Sequence, residues 1–169
     1  MRNQVKFETK IGWLTATEED GWIVRLDACQ KDLVVASVTE SPVLSKLQAE
    51  LLEYMEGKRK VFTVPYRLTG GTPFQRKVWE ALKTIPYGET RSYREIAEAV
   101  GSPKACRAVG GANHNNPIMI LVPCHRVIGA NGKLVGFGGG LPMKKALLEL
   151  EKNVIKQENG AYTNKEREK

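Results

Sequence analysis

A thiol, an imidazole and a guanidinium stand in a row at Cys124-His125-Arg126, inside the apolar run Ile120-Leu121-Val122-Pro123 and Val127-Ile128. Together they can make a nucleophile. A cysteine of ordinary pKa, about 8.5, becomes a thiolate near neutral pH when a base or a cation stands beside it. The flanking Ile, Leu and Val read as buried β or extended chain, where an unpaired polar group is costly, so partners for the three must come from elsewhere in the fold. Two readings compete. A free cysteine beside a satisfied histidine is ordinary core material, since cysteine is among the most buried residue types. The cations on the same stretch favour the other reading, in which His125 and Arg126 hold Cys124 as a thiolate.

Few other residues offer chemistry of this kind. Cys29, Cys106 and Cys124 are odd in number with no C-x-x-C spacing, and His114 and His125 are the only histidines. This argues against a disulfide framework and a thiolate zinc site, so neither a metal nor a cofactor is expected. A chain of 169 residues, 41% hydrophobic and 27% charged, has the composition of a soluble globular protein of one ordinary or two small domains. No apolar run approaches about 18 residues, and Met1 to Lys10 is charged, so the expectation is a cytoplasmic protein with no membrane contact. The net charge of +7 is uneven: residues 1–70 balance at ten basic and ten acidic, whereas 71–152 carry twelve basic against six acidic. The basic half holds Cys124. A polyanionic partner is one reading of that excess, and a basic surface kept for solubility is the other.

The elements that must position these residues fall into two parts. Val5–Thr9, Gly12–Thr17 and Gly21–Leu26 alternate and are separated by turn residues, which predicts antiparallel strands, with Leu33–Val38 a further strand. Ser41-Pro42 opens a helix whose apolar positions Val43, Leu44, Leu47, Leu51 and Met55 recur at helical spacing up to Gly57. Lys58-Arg59-Lys60 reads as a solvated turn and Val61–Leu68 as extended chain. Nothing in this part, residues 1–70, suggests chemistry.

The second part, residues 71–152, reads as mostly helical. Thr72-Pro73 caps a helix with Phe74, Val78, Trp79 and Leu82 on one face, and Ser92 opens another that Gly101 stops. A third is predicted from Lys104 to Ala112. The last two, joined by Gly101-Ser102-Pro103, read as a helix-turn-helix or as an ordinary αα-hairpin. Arg107 among the small residues Ala105, Ala108, Gly110 and Gly111 favours the first, because small neighbours let an arginine approach a groove closely. The amide-rich turn Asn113-His114-Asn115-Asn116-Pro117 precedes the apolar run. Asn131-Gly132 signals a hairpin turn, and Val135–Gly140 a glycine-rich loop that serves equally as a phosphate cradle or as flexible chain around a ligand. A final helix starts at Pro142, and residues 153–169 are expected to be a disordered polar tail.

Pro123-Cys124-His125-Arg126-Val127, together with Lys104-Ala105-Cys106-Arg107-Ala108-Val109-Gly110-Gly111-Ala112, Asn115-Asn116-Pro117 and Gly139-Gly140-Leu141, resembles the methylated-DNA–protein-cysteine S-methyltransferases, the O6-alkylguanine-DNA alkyltransferase family. The resemblance is dense from Thr72 to about Glu151. It implies an α+β chain: a small N-terminal ribonuclease-H-like sheet-and-helix domain, then a helical domain with a winged helix-turn-helix-like DNA-binding motif. It also implies a suicide repair protein that flips an O6-alkylguanine out of double-stranded DNA and takes its alkyl group irreversibly, acting as a monomer; O4-alkylthymine stays open as a further substrate.

Position by position, the resemblance makes Cys124 the acceptor, His125 the base that activates it through a water, and Glu151 the carboxylate that orients the imidazole. Asn116 becomes the hinge asparagine, Tyr93 the donor that protonates the leaving guanine and helps turn the nucleotide, and Arg107 the finger in the vacated stack. Lys104, Ala105, Ala108 and Arg126 join Arg107 and Tyr93 on the DNA side; Pro123, Val127, Phe137 and Gly138 line the alkyl pocket. Phe137 stands where some members have tyrosine, and the first part lacks the Cys/His set with which certain members hold zinc. These roles fit one reaction, since a base must leave the duplex to reach a thiolate and an inserted arginine offsets part of that cost. Two rival functions remain: a lesion sensor of the alkyltransferase-like kind, against which the presence of Cys124 speaks, and a cysteine hydrolase, which would need an oxyanion hole.

Overall fold

The computed structural model describes residues 2–35, 41–134, 137 and 139–167, and from residue 161 the backbone alone. Strands β1 (Arg2–Thr9), β2 (Gly12–Glu19) and β3 (Trp22–Ala28) form an antiparallel sheet in that spatial order. Asp20 and Gly21 turn the second hairpin with φ of 52° and 85°, the left-handed pair that matches the right-handed twist of the strands. The outer edge of β3 is covered, as a sheet edge needs to be. Ile23 pairs with Tyr66 and Leu26 with Ile118, both parallel, and Leu26 N donates to Pro117 O at 2.9 Å while Met119 N donates to Leu26 O at 3.1 Å. The sheet therefore holds the start of the segment that carries Cys124.

Helix α1 (Pro42–Met55) lies on this sheet. Ser41 Oγ accepts from Leu44 N, and Pro42 occupies the first turn, where its missing N–H leaves nothing unpaired. Leu44, Leu47, Leu51 and Tyr54, three or four residues apart, put one fully buried stripe against the strands. Residues 33–35 form no strand, and the rest of the strand expected over 33–38 lies outside the described residues. The turn at Lys58-Arg59-Lys60 is less solvated than its charges suggest. Arg59 is drawn to Glu50 at 3.8 Å and Glu53 at 3.4 Å, because Glu50 is buried accepting from Thr63 N, Thr63 Oγ1 and Val64 N.

In the second part, α2 (Pro73–Leu82) starts with a capping box between Thr72 and Gln75, and α3 (Tyr93–Ala99) with one between Ser92 and Glu95. Helix α4 (Cys106–His114) begins later than the Lys104 expected, because Ser102–Ala105 form a turn closed by Ala105 N to Ser102 O at 2.9 Å. Helices α2, α3 and α4 pack on one another, and Trp79 Nε1 donates to Ala112 O at 2.8 Å.

The apolar run is buried as expected, yet little of it is strand. Ile120 takes φ of 73°, a conformation that costs a β-branched residue on the order of 1–3 kcal/mol and breaks an extended path. The chain then folds back, with Val122 N on Ile118 O at 3.0 Å. Cys124–Arg126 form a single 3-10 turn. Only Val127–Ile128 are strand (β5), parallel to the two-residue β4 (Arg91–Ser92). The tail expected to be disordered is also corrected: α5 runs from Leu141 to Arg167. Val154 and Ile155, half-buried, continue the buried stripe of Leu147 and Glu151 at helical spacing, so the start of this stretch packs while residues 156–160 are exposed. A side chain at Gly88 would meet Ile155 Cγ1 at 2.6 Å, and Lys60 Nζ reaches Glu158 at 2.7 Å. One apolar core runs through both parts of the chain.

Candidate active site

Glu151 of α5 is the hub of the buried polar groups. Its Oε2 accepts from His125 Nε2 at 2.6 Å, Tyr54 Oη at 2.5 Å and Arg126 Nη2 at 3.1 Å; its Oε1 accepts from Arg126 Nε at 2.8 Å and Gly88 N at 3.0 Å. A carboxylate 1% exposed is costly to desolvate unless its lone pairs are filled by charge-assisted donors, and here they are. Burial alone would raise its pKa, but the hydrogen bonds from His125 and Arg126, with the Arg126 charge, bring it down to about 2. Glu151 therefore stays ionised and fixes the imidazole with Nε2–H toward it, leaving Nδ1 as the acceptor. His125 Nδ1 is buried with no hydrogen-bond partner among the described residues. Burial lowers the pKa of His125 against the pull of Glu151, so the ring rests neutral, ready to receive a proton.

Cys124, 3% exposed, lines a cavity of about 80 Å³ with Asn113, Asn116, Met119 and Phe137. Asp27 and Ala28 of β3 complete the wall, so the first part contributes to the pocket, contrary to expectation. Burial pushes the thiol up to about 11, with Asn116 and the charge of Lys144 acting against it. The expectation that His125 and Arg126 hold a standing thiolate is corrected. His125 is neutral, and the Arg126 guanidinium is taken by Glu151 and by Ile85 O at 2.7 Å. The thiolate must instead form by proton transfer, and the cation within electrostatic reach of it is Lys144.

Two asparagines set the backbone around the sulfur. Asn116 Nδ2 donates to Val122 O at 2.8 Å and its Oδ1 accepts from Ile118 N at 3.1 Å, so it clamps the fold-back that precedes Cys124. Asn113, on α4, donates to Cys124 O at 3.1 Å. Tyr93 opens α3, half-buried; burial and the neighbouring Cys124 raise its pKa, which keeps the phenol protonated at neutral pH.

The DNA-side residues separate into two groups. Lys104, Arg107 and Ala108 are exposed along α4 and its approach, with Ala105 partly so, which leaves two basic side chains with small residues between them on the surface. Arg126 is not among them, being 8% exposed and bound to Glu151. The pocket walls shift as well. Phe137 lines the cavity, whereas Val127 is buried in β5 and Pro123 lines a separate cavity of about 270 Å³ with Arg126 and Tyr87. Gly138 lies outside the described residues.

Sequence reasoning missed Asn113, Lys144 and Tyr54. Lys144 had a signal: it stands seven residues before Glu151, two helical turns away on the stripe of Leu147, so two charged residues share an apolar face. It is fully buried, its Nζ 5.8 Å from the centre of the Tyr93 ring. Tyr54 had none, being one more apolar position on α1.

Sequence comparison accounts for nearly the whole chain. Residues 5–68 match the 6-O-methylguanine DNA methyltransferase ribonuclease-like domain and residues 73–153 the 6-O-methylguanine DNA methyltransferase DNA-binding domain. The constitutive methylated-DNA–protein-cysteine methyltransferase of Bacillus subtilis is 49% identical over 158 residues, covering 89% of this chain and 95% of its own. The crystal structure of Mycobacterium tuberculosis O6-methylguanine methyltransferase superposes with a TM-score of 0.82 at 46% identity, over 90% of this chain and 94% of that one. The same protein solved in complex with DNA superposes equally well, at 0.82, 46%, 90% and 94%. With this coverage and identity, the chain belongs to the methylated-DNA–protein-cysteine methyltransferase family.

Proposed function

We propose that Cys124 is the acceptor in a single-use repair reaction, taking the alkyl group from O6-alkylguanine that has been turned out of duplex DNA. The observation that carries this reading is a thiol on a cavity wall followed directly in sequence by a neutral imidazole, itself locked by a buried carboxylate. The proton of Cys124 passes to His125 Nδ1 through a water, and the resulting imidazolium is stabilised by Glu151. The thiolate sulfur bonds to the alkyl carbon while the bond from that carbon to guanine O6 breaks and leaves its electron pair on the base. Tyr93, protonated at neutral pH, gives its proton to the departing guanine, and Lys144 offsets the negative charge between them. No step restores the thiol, so each molecule acts once.

DNA binding belongs to α3 and α4. Lys104 and Arg107 meet phosphates and Arg107 enters the gap left by the flipped nucleotide, which offsets the loss of stacking. Residues 1–70 act as a supporting domain and 71–152 as the catalytic and DNA-binding domain. No helix among the described residues is long and apolar enough to cross a membrane, and we place the protein in the cytoplasm as a monomer.

The test is incubation with a short duplex containing O6-methylguanine, followed by intact-protein and peptide mass. A gain of one CH2 on the Cys124 peptide, at one equivalent per protein, is expected. Tight lesion binding without mass gain would instead identify a sensor, and multiple turnovers on an unmodified protein a hydrolase.

A further inference from the structure

Tyr54 brings the first part of the chain to the carboxylate behind Cys124. It is fully buried in α1, and its Oη donates to Glu151 Oε2, the same oxygen that accepts from His125 Nε2. The ring is fixed by Phe62, with centroids 5.4 Å apart, and by Tyr87 edge-on at 6.1 Å. Burial and the negative charge of Glu151 hold its pKa well above the ordinary tyrosine value, so the phenol remains a donor wherever histidine titrates.

We propose that Tyr54 is a positioning residue for alkyl transfer, through which the N-terminal sheet-and-helix unit sets the orientation and basicity of the Glu151–His125 pair. The inference rests on the reading of Cys124 as acceptor and His125 as its base. An oxygen that accepts from a phenol and an imidazole together is a weaker acceptor for each, which limits how strongly Glu151 favours the imidazolium. Without the phenol, Glu151 becomes more basic and His125 holds a proton to higher pH, where it cannot take one from the thiol. Besides Tyr54, the charged and titratable groups around the pair are Cys124 and Arg126 of the same 3-10 turn as His125, Lys144 of the same helix as Glu151, and Tyr87 ahead of β4. All four remain in a Tyr54 variant, so a change there reports the phenol alone.

The experiment uses full-length Tyr54→Phe, which keeps the ring. Single-turnover transfer from an O6-methylguanine duplex is followed across the pH range in which histidine titrates, alongside duplex affinity. The rate midpoint is expected to rise by about 0.5–1 unit and transfer below it to slow by about three- to tenfold, with duplex affinity unchanged. A lowered melting temperature with an unmoved pH profile would show that Tyr54 only packs, and would overturn the proposal. Weaker duplex binding with an unmoved profile would do the same. A ring-difluorinated tyrosine placed at position 54 keeps the fold and strengthens the donor, so the midpoint should fall; no movement there overturns the proposal even if the phenylalanine variant fails to fold. Absence of transfer by the unsubstituted chain overturns the acceptor reading first, and is distinguished by the missing CH2 on Cys124.

Discussion

Cys124 stands at a cavity wall with the neutral ring of His125 next in the chain and the carboxylate of Glu151 beyond that ring. Replacing the thiol with a hydroxyl, a far weaker acid, removes the proposed nucleophile without touching α4. Cys124→Ser should therefore bind an O6-methylguanine duplex within about twofold of the parent affinity, about 0.4 kcal/mol of change, and gain no mass from it. A CH2 gained by that variant would remove Cys124 from the mechanism. Acid stability is the second expectation at this scale. Glu151 has a folded pKa of about 2 against an ordinary 4.5, so its contribution is complete above its unfolded value and is lost as pH falls toward the folded one. For a shift of this size that contribution is about 3 kcal/mol. His125 acts in the same direction: its pKa is lowered from 6.5 by burial, so stability is intact above that pH and declines below it. The urea midpoint should hold steady above neutrality and fall progressively under acid, and a flat midpoint down to the carboxylate range would contradict the buried pair.

Helix α4 joins two tasks. Its exposed side carries Arg107 and Ala108, while Asn113 near its end holds the carbonyl of Cys124, so the proposed seating of a duplex on α4 would register it directly against the sulfur. Arg107→Ala should slow transfer from duplex DNA by about tenfold or more, because the flipped state loses the group that fills its gap. Transfer from free O6-alkylguanine should be little changed, and equal losses on both substrates would reject the finger role. Lys104→Ala should weaken duplex binding irrespective of sequence and reduce the slope of log affinity against log salt by about one. A specific loss at the lesion alone would move Lys104 from phosphate to base contact.

Across the whole molecule, the sheet and α1 serve the site from behind. β3 pairs with Pro117–Met119, contributes Asp27 and Ala28 to the cavity, and α1 supplies Tyr54 to Glu151. Helix α5 closes the assembly by carrying Lys144 and Glu151 inward and then running on past Gly57 and Gly88. Removing residues 153–169 would uncover the surface that half-buried Val154 and Ile155 pack against. That truncation should cost about 1–2 kcal/mol, a melting temperature lower by about 2–8 °C, with transfer retained because Glu151 is kept. An unchanged melting temperature would restore the reading of this stretch as unstructured.

The local signals were legible from residue order alone. Capping residues at Ser41, Thr72 and Ser92 marked three helix starts, alternation marked three strands, and the Pro123–Val127 motif with the stretches around it pointed to the family. Those features depend on near neighbours in the chain, which a sequence displays directly. Residues 153–160 were also readable, since Val154 and Ile155 keep the helical period, but their polarity masked it. What only the tertiary structure decided was the choice of partners: Arg126 turning to Glu151 rather than to DNA or the thiol, Lys144 reaching the sulfur's field, and Tyr54 meeting a carboxylate 97 positions away. A buried charge takes whichever donors the packing of distant elements brings within reach, and that packing is settled by shape and burial summed over the whole core.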